Sequence, residues 1–273
     1  MATPSPQVTP KSLLLDLVRV APGGEVPVSS LVGAGALFGI TGNAIRVALA
    51  RLQAAGLIEN TGRGSYALSP AAKILGRQVE EWRLGDSRLR PWTGAWLCVH
   101  LPKAVPVAAR RASLKALLRL GFREGLAGMW VRPDNLKGGL SSAREKLSAL
   151  GLETGAAIFL GEAFSEEVTS RWEKDLWPLE EIERAHERAF KDLERSTPRI
   201  ARLSRPDALA ETFRLGGAAI RSLAHDPLLP DEVLSGEARR ALTDAMKEYD
   251  VLGKQIWGAV IDESRPRQLA AVG

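Results

Sequence analysis

Apolar residues recur at helical spacing along the first ninety positions of the chain. Leu13, Leu14, Leu17 and Val18 form one stripe over Lys11–Val20, which predicts a first helix closed by Pro22-Gly23-Gly24. Glu25-Val26-Pro27-Val28 reads as a short strand. Val28–Leu37 reads as a short helix capped by Ser29 or Ser30, with Phe38-Gly39-Ile40 as the tight connection that follows. A second stripe, Ile45, Ala48, Leu49 and Leu52, falls at i, i+3, i+4 and i+7. Thr41 is placed to cap that helix and Gly56 to end it. At about 100° per residue, Asn43, Arg46, Val47, Ala50 and Ala54 fall on the opposite face, with Arg51 at its edge. Leu57-Ile58 and Ser65–Leu68 then read as two short strands around Asn60–Gly64. Gly33-Ala34-Gly35-Ala36 has no strand before it and no acidic partner after it, so it reads as loose packing in or after the second helix.

A helix with one polar, basic face followed by a basic-tipped hairpin is the layout of a winged helix-turn-helix. Such a helix enters a major groove and its hairpin lies along the phosphate backbone. The alternative is an ordinary surface helix and hairpin. On the first reading the DNA-contacting residues are Ser29, Thr41, Asn43, Arg46, Val47, Arg51, Arg63 and Ser65. Arg46 reaches a base edge or an adjacent phosphate, Thr41 and Asn43 meet the groove at the helix N-terminus, and Arg51 sits on the backbone. Arg63, between two glycines, touches the backbone or the minor groove.

Pro70–Trp82 reads as helix, and polar, basic Arg83–Arg90 as a boundary. Beyond it the pattern changes. Gly94–Leu101 is a short run of β-formers and predicts a buried strand. Val105–Leu120 holds Ala108, Ala112, Leu114, Leu117 and Leu118 with Arg110, Arg111, Lys115 and Arg119, a basic amphipathic helix. Strands over Gly121–Glu124 and Met129–Arg132, a helix over Leu140–Leu150 and a strand over Ala156–Leu160 complete the series. Strand, helix, strand, strand, helix, strand is the order of a ferredoxin-like sandwich. No strand is expected after Ser165. Helices capped by Ser165, starting at Pro178 with Ile182, Ala185, Phe190 and Leu193 inward, over Ala208–Ala224, and from Ser235 to about Val260 fill the rest.

The expected fold class is therefore α+β in three domains: a winged helix-turn-helix over 11–90, a ferredoxin-like middle domain over 91–165 and an all-helical domain over 166–262. Tails are expected at 1–10 and 263–273.

Charge sharpens this division. The net charge of the 273 residues is +5, but residues 1–90 carry +4, 91–165 carry +5 and 166–273 carry −4. The basic excess favours a polyanionic partner for the first two thirds. The chain has one cysteine, Cys98, so neither a disulfide framework nor a thiolate zinc cluster is available. Met1–Lys11 lacks the apolar stretch of a secretion signal, and no apolar run reaches the length of a membrane span. A reducing cytoplasm and no membrane partner are expected. His100, His186 and His225 have no metal-ligand spacing, and neither a nucleophile-elbow, a phosphate-loop nor a dinucleotide motif occurs. No metal, resident cofactor or catalytic residue is expected.

The motifs, in order, resemble those of the PaaX-type repressors of phenylacetate catabolism. They are Phe38-Gly39-Ile40 through Leu52 to Gly56-Leu57-Ile58, Arg63-Gly64-Ser65-Tyr66, Pro91-Trp92-Thr93-Gly94-Ala95-Trp96, Leu120-Gly121-Phe122, Gly128-Met129-Trp130-Val131, Trp172 with Leu176-Trp177, and Asp226-Pro227-Leu228-Leu229-Pro230. The resemblance runs from about Lys11 to Trp257. It implies a homodimeric bacterial repressor of the same three-domain plan, bound to double-stranded operator DNA and released by a small-molecule effector, an aryl-acyl coenzyme A thioester. Trp172, Trp177 and Trp257 either line an aromatic effector pocket or pack a core. Arg110, Arg111, Lys115 and Arg119 are either a solvated helix face or contacts to flanking DNA or to coenzyme A phosphates, Arg110 and Arg111 being the pair assigned to the effector. The competing enzymatic reading is a metal-dependent nuclease on the middle domain. It lacks a carboxylate at the end of the first strand, where His100-Leu101-Pro102 stands.

Overall fold

The structure is a computed structural model that describes residues 8–62, 64–70, 72–73 and 80–263. Of the helix expected over Pro70–Trp82, residues 71 and 74–79 lie outside the described ones, as do 264–273 of the expected tail. The chain is mixed helix and sheet with two small antiparallel sheets, and it folds as two compact units. The first holds residues 1–81, 191–220 and 244–273; the second holds 82–190 and 221–243. The helical last third is thus shared between the two.

In the first unit, α1 (Pro10–Val20) starts at a capping box. The Thr9 hydroxyl accepts from the Ser12 amide and the Ser12 hydroxyl accepts from the Thr9 amide, both at 3.1 Å. The expected tail over 1–10 therefore ends before Thr9. A short strand β1 (Glu25–Pro27), then α2 (Val28–Ala36), α3 (Gly42–Ala54), β2 (Ile58–Gly62) and β3 (Ser65–Leu68) follow. β3 is the central strand, antiparallel to β1 and β2. Leu13, Leu14, Leu17 and Val18 of α1 meet Leu31 and Ala34 of α2 and Ile45, Leu49 and Leu52 of α3 in one core. Leu209 and Trp257, far along the chain, belong to that same core.

Two local expectations need correction. Neither Ser29 nor Ser30 caps α2: Pro27 occupies the N-cap without a side-chain bond, and Ser30 is buried inside the first turn. Within Gly33–Ala36, Gly33 and Ala36 are exposed, but Ala34 and Gly35 are not loosely packed. A Cβ on Gly35 would lie 2.8 Å from the Ile45 side chain, so only glycine lets α2 and α3 close to this distance.

In the second unit, β4 (Trp96–His100), α4 (Val107–Arg119), β5 (Arg123–Leu126), β6 (Met129–Pro133), α5 (Gly139–Ala149) and β7 (Ala157–Gly161) build a sheet ordered β5-β6-β4-β7. Alternation along β4 sends Leu97 and Val99 to one face, against Ala116 and Leu117 of α4 and Leu147 of α5. Trp96 and Cys98 face the other side, with Trp172 of α6 (Glu166–Asp175), Trp177 and Leu229. On α4 the buried residues are Ser113, Ala116 and Leu117, whereas Leu118 is 49% exposed. The Ser113 hydroxyl bonds the Ala109 carbonyl, which makes this polar position tolerable in the core and shifts the buried face from the expected one. Ser165 stands at the N-cap of α6 but its side chain makes no capping bond.

The remaining helices are α7 (Leu179–Ile200), α8 (Arg205–Ala224) and α9 (Glu237–Glu263). The loop Asp226–Pro230 passes against Gly121, where a Cβ would stand 3.0 Å from the Pro227 carbonyl and φ is +80°. Beneath the loop, buried Arg132 donates to the carbonyls of Leu120 (2.5 Å) and Pro227 (3.3 Å) and to Asn135 Oδ1 (3.1 Å). His186 is buried beside Asp226, 3.1 Å away. Burial lowers the His186 pKa, and the nearby Arg239 adds to this. The Asp226 carboxylate and a backbone hydrogen bond at Ser222 oppose the shift without cancelling it. Because the folded pKa lies below the unfolded one, folding is expected to weaken as pH falls through about 6.5. Thermal melts across that window should show the loss, and His186→Gln should flatten it.

Candidate nucleic-acid interface

The turn between α2 and α3 sets where α3 begins. The amides of Phe38 and Ile40 both bond the Gly35 carbonyl, and Gly39 takes φ +67°. Thr41 is extended (φ −67°, ψ 148°), and its hydroxyl accepts from the Ala44 amide at 3.2 Å. The cap ends the turn and starts the helix as the sequence predicts. Thr41→Ala is expected to lower the unfolding free energy by about 1 kcal/mol, measured by chemical denaturation.

α3 contains no acidic residue. Ile45, Leu49 and Leu52 point into the core, while Thr41, Asn43, Arg46, Val47, Ala50, Arg51 and Gln53 are exposed. Asn43, Arg46, Ala50 and Gln53 follow one another at three- and four-residue steps with Val47 beside them, one continuous outward stripe. Gln53 is absent from the sequence-predicted set, although its i+7 spacing from Arg46 marks it. A Cβ on Gly42 would stand 3.5 Å from an Arg46 guanidinium nitrogen, so that cation reaches back to the helix N-terminus. There the unpaired amides and the helix dipole already favour an anion.

Arg51 lies at the side of this stripe. With Lys11, Ala44, Val47, Ala48, Ala55 and Leu57 it lines a shallow, mostly apolar groove of about 470 Å³ between α3 and the start of α1.

The hairpin is held at its tip by side-chain bonds. Asn60 Oδ1 accepts from the Gly62 amide at 2.8 Å, and the Thr61 hydroxyl donates to Glu25 Oε2 at 2.8 Å. Gly62 and Gly64 have φ +98° and +75°. The Gly64 carbonyl accepts from the Val28 amide, which ties the tip to the start of α2. Arg63 lies outside the described residues. Ser65 is half-buried in β3 opposite Pro27, and Ser29 is exposed in the first turn of α2. The exposed Glu25 and Glu59 place two carboxylates on this sheet, so it is less basic than its tip suggests.

The effector residues are not brought together. Arg110 and Arg111 are exposed on α4, whose buried side lies on one face of the β4–β7 sheet. Trp172 and Trp177 are 1% and 2% exposed on the other face. Their indole N–H groups donate to the carbonyls of Gly125 (3.1 Å) and Gly121 (3.0 Å), so both tryptophans pack as core. Among the described residues, no three His, Cys, Asp or Glu side chains are grouped to hold a metal ion. None of the described helices is long and apolar enough to cross a membrane.

Residues 9–72 match a family model described as PaaX-like protein. No curated protein sequence matches the chain significantly. Among solved structures, the chain is similar to the uncharacterized protein Rv0674 from Mycobacterium tuberculosis. That match has a TM-score of 0.64 and 24% sequence identity, covering 92% of this chain and 98% of that one, and the likeness is one of fold. Over residues 9–72, the stretch holding α1 to β3, the chain matches the PaaX-like family that its motifs resemble.

Proposed function

We propose that the chain is a DNA-binding transcriptional regulator, a repressor of a catabolic operon, working in the cytoplasm. The observation that carries this reading is the exposed face of α3. It holds Asn43, Arg46, Arg51 and Gln53 on a helix without one carboxylate, presented by a tight turn and flanked by a glycine-tipped hairpin. In this reading the winged helix-turn-helix over 11–90 takes Leu209, Phe213 and Trp257 into its core, 91–165 form a ferredoxin-like sandwich, and the helices from 166 on, shared between the two units, serve dimerisation and effector binding. One such helix reads too few base pairs for useful selectivity, so two copies bind a near-palindromic operator. A small-molecule effector, of the aryl-acyl coenzyme A type by family analogy, releases the DNA. It does so only to the extent that it prefers the non-binding arrangement. The chain is then a regulator and not an enzyme. No observation favours the nuclease reading: β4 ends in His100 and runs on to Leu101, where that chemistry would want a carboxylate.

The test is a footprint on the promoter beside the chain's own gene, followed by titration of Arg46→Ala on the protected site. Loss of the Arg46 interaction is expected to cost about 1–3 kcal/mol of operator binding. Unchanged affinity would remove α3 as the reading element.

A further inference from the structure

α4 carries a cationic stripe that the reading above does not use. Arg111, Lys115 and Arg119 stand at successive i+4 positions, with Arg110 beside them. All four are exposed. The stripe covers about 12 Å of helix and lies opposite buried Ser113, Ala116 and Leu117. From Leu101 to Phe122 the chain has no Asp or Glu, and Lys103 adds a fifth exposed cation. Among the described residues, none of these five side chains has an ion-pair or hydrogen-bond partner. The adjoining α5 and the turn after it bring Arg144, Glu145, Lys146 and Glu153, whose charges sum to zero, and the Glu153 amide donates to the Ser113 hydroxyl on the buried side of α4.

Unpaired like charges at i, i+4 destabilise a helix slightly, so their accumulation without acidic neighbours calls for an external anion. An extended row suits a repeating polyanion rather than one phosphate compound, which would need a cavity. A membrane-surface helix needs a broad free apolar face; on α4 Ala116 and Leu117 are buried against the sheet and only Val107 and Leu118 are exposed as large apolar side chains.

We infer that α4 is a second, sequence-blind contact to the phosphate backbone of duplex DNA, made through Arg111, Lys115 and Arg119. The inference rests on the DNA-binding reading above and adds to it a contact from the second unit. It assigns to α4 affinity and salt dependence, and to α3 base readout.

The experiment follows binding of the full chain to a random-sequence duplex a few helical turns long, by fluorescence anisotropy, as salt is raised. The variant Arg111→Gln/Lys115→Gln/Arg119→Gln should flatten the slope of log affinity against log salt by about 0.9 for each phosphate no longer neutralised, or about 2–3 in all. Arg111→Lys/Arg119→Lys keeps the charges and should keep the slope, which separates charge from any change in folding. Thermal melting should not fall in either variant, and relief of the like-charge repulsion should raise it slightly in the triple one. A triple variant with the wild-type slope overturns the inference and leaves the Arg46 reading intact. Loss of binding to phosphatidylglycerol vesicles without change on the duplex overturns it in favour of a lipid surface. Wild-type chain that ignores duplex DNA at every salt concentration overturns both readings.

Discussion

Trp257→Ala is expected to lower the unfolding free energy by about 3–5 kcal/mol, and to weaken DNA binding although Trp257 is far from α3 in sequence. Trp257 is only 7% exposed and belongs to the core shared by α1, α2 and α3. Its ring stacks on Phe38, with centroids 6.1 Å apart and planes 4° from parallel. Phe213 closes the group, edge-on to Phe38 at 5.7 Å and tilted to Trp257 at 6.2 Å. The indole N–H donates to the Thr212 hydroxyl at 3.3 Å. Phe38 sits in the turn that positions Thr41 and the start of α3, so removing the ring beneath it loosens the proposed reading element. Trp257→Phe should recover most of the lost stability, because a ring still fills the site. Circular dichroism in urea measures the first effect and anisotropy with the footprinted operator the second. A loss below about 1 kcal/mol would mean the site collapses without cost, against what its burial implies. By the same reasoning, a fragment ending at residue 90 lacks Leu209, Phe213 and Trp257 from its own core. It should bind apolar dyes and melt below the full chain.

The second large effect is expected at Arg132. Its side chain is buried, and burial pushes its pKa down to about 10, with Asp134 and Asp226 opposing the shift; it is still charged at neutral pH. Besides the bonds to Leu120, Pro227 and Asn135, its Nε donates to the Pro133 carbonyl at 3.2 Å. Asn135 in turn donates to the Leu228 carbonyl at 2.8 Å. One guanidinium therefore ties β6 to a proline loop far along the sequence. Arg132→Ala leaves these acceptors buried and unpaired, and should cost about 3–5 kcal/mol. Arg132→Lys should recover only part, because one ammonium cannot reproduce the planar fork. Urea unfolding followed by tryptophan fluorescence reads the change through Trp96, Trp172 and Trp177 of the same unit.

These two residues mark where sequence reading stops. Local signals place the elements well. Thr41 and Gly39 are short-range features, and period-two or period-3.6 spacing finds β4, α3 and α7 within a few residues. The outward face of α3 follows from the same period. What sequence does not supply is partnership between distant segments. Nothing in the spacing around Phe38 points to Phe213 or Trp257, and nothing around Arg132 points to Pro227. The scatter of the expected effector residues has a related reason. Arg110 with Trp172 looks plausible as a pair, but strand alternation puts their elements on opposite faces of one sheet. Ser29 and Ser30 show the opposite limit: serine favours the cap position in general, yet the chain turns into α2 at Pro27.

The single cysteine has a practical consequence. Cys98 is fully buried in the inner strand β4, between β6 and β7, and burial raises its thiol pKa to about 11, a backbone hydrogen bond at Gly161 opposing the shift. Almost no thiolate exists in the closed state at neutral pH, and no alkylating reagent can reach the sulfur. Modification must wait for β4 to come away from its neighbours. The chain thus carries a built-in clock: the rate at which its one thiol is alkylated reports how often the second unit opens, with no label to introduce and no second thiol to confuse the signal.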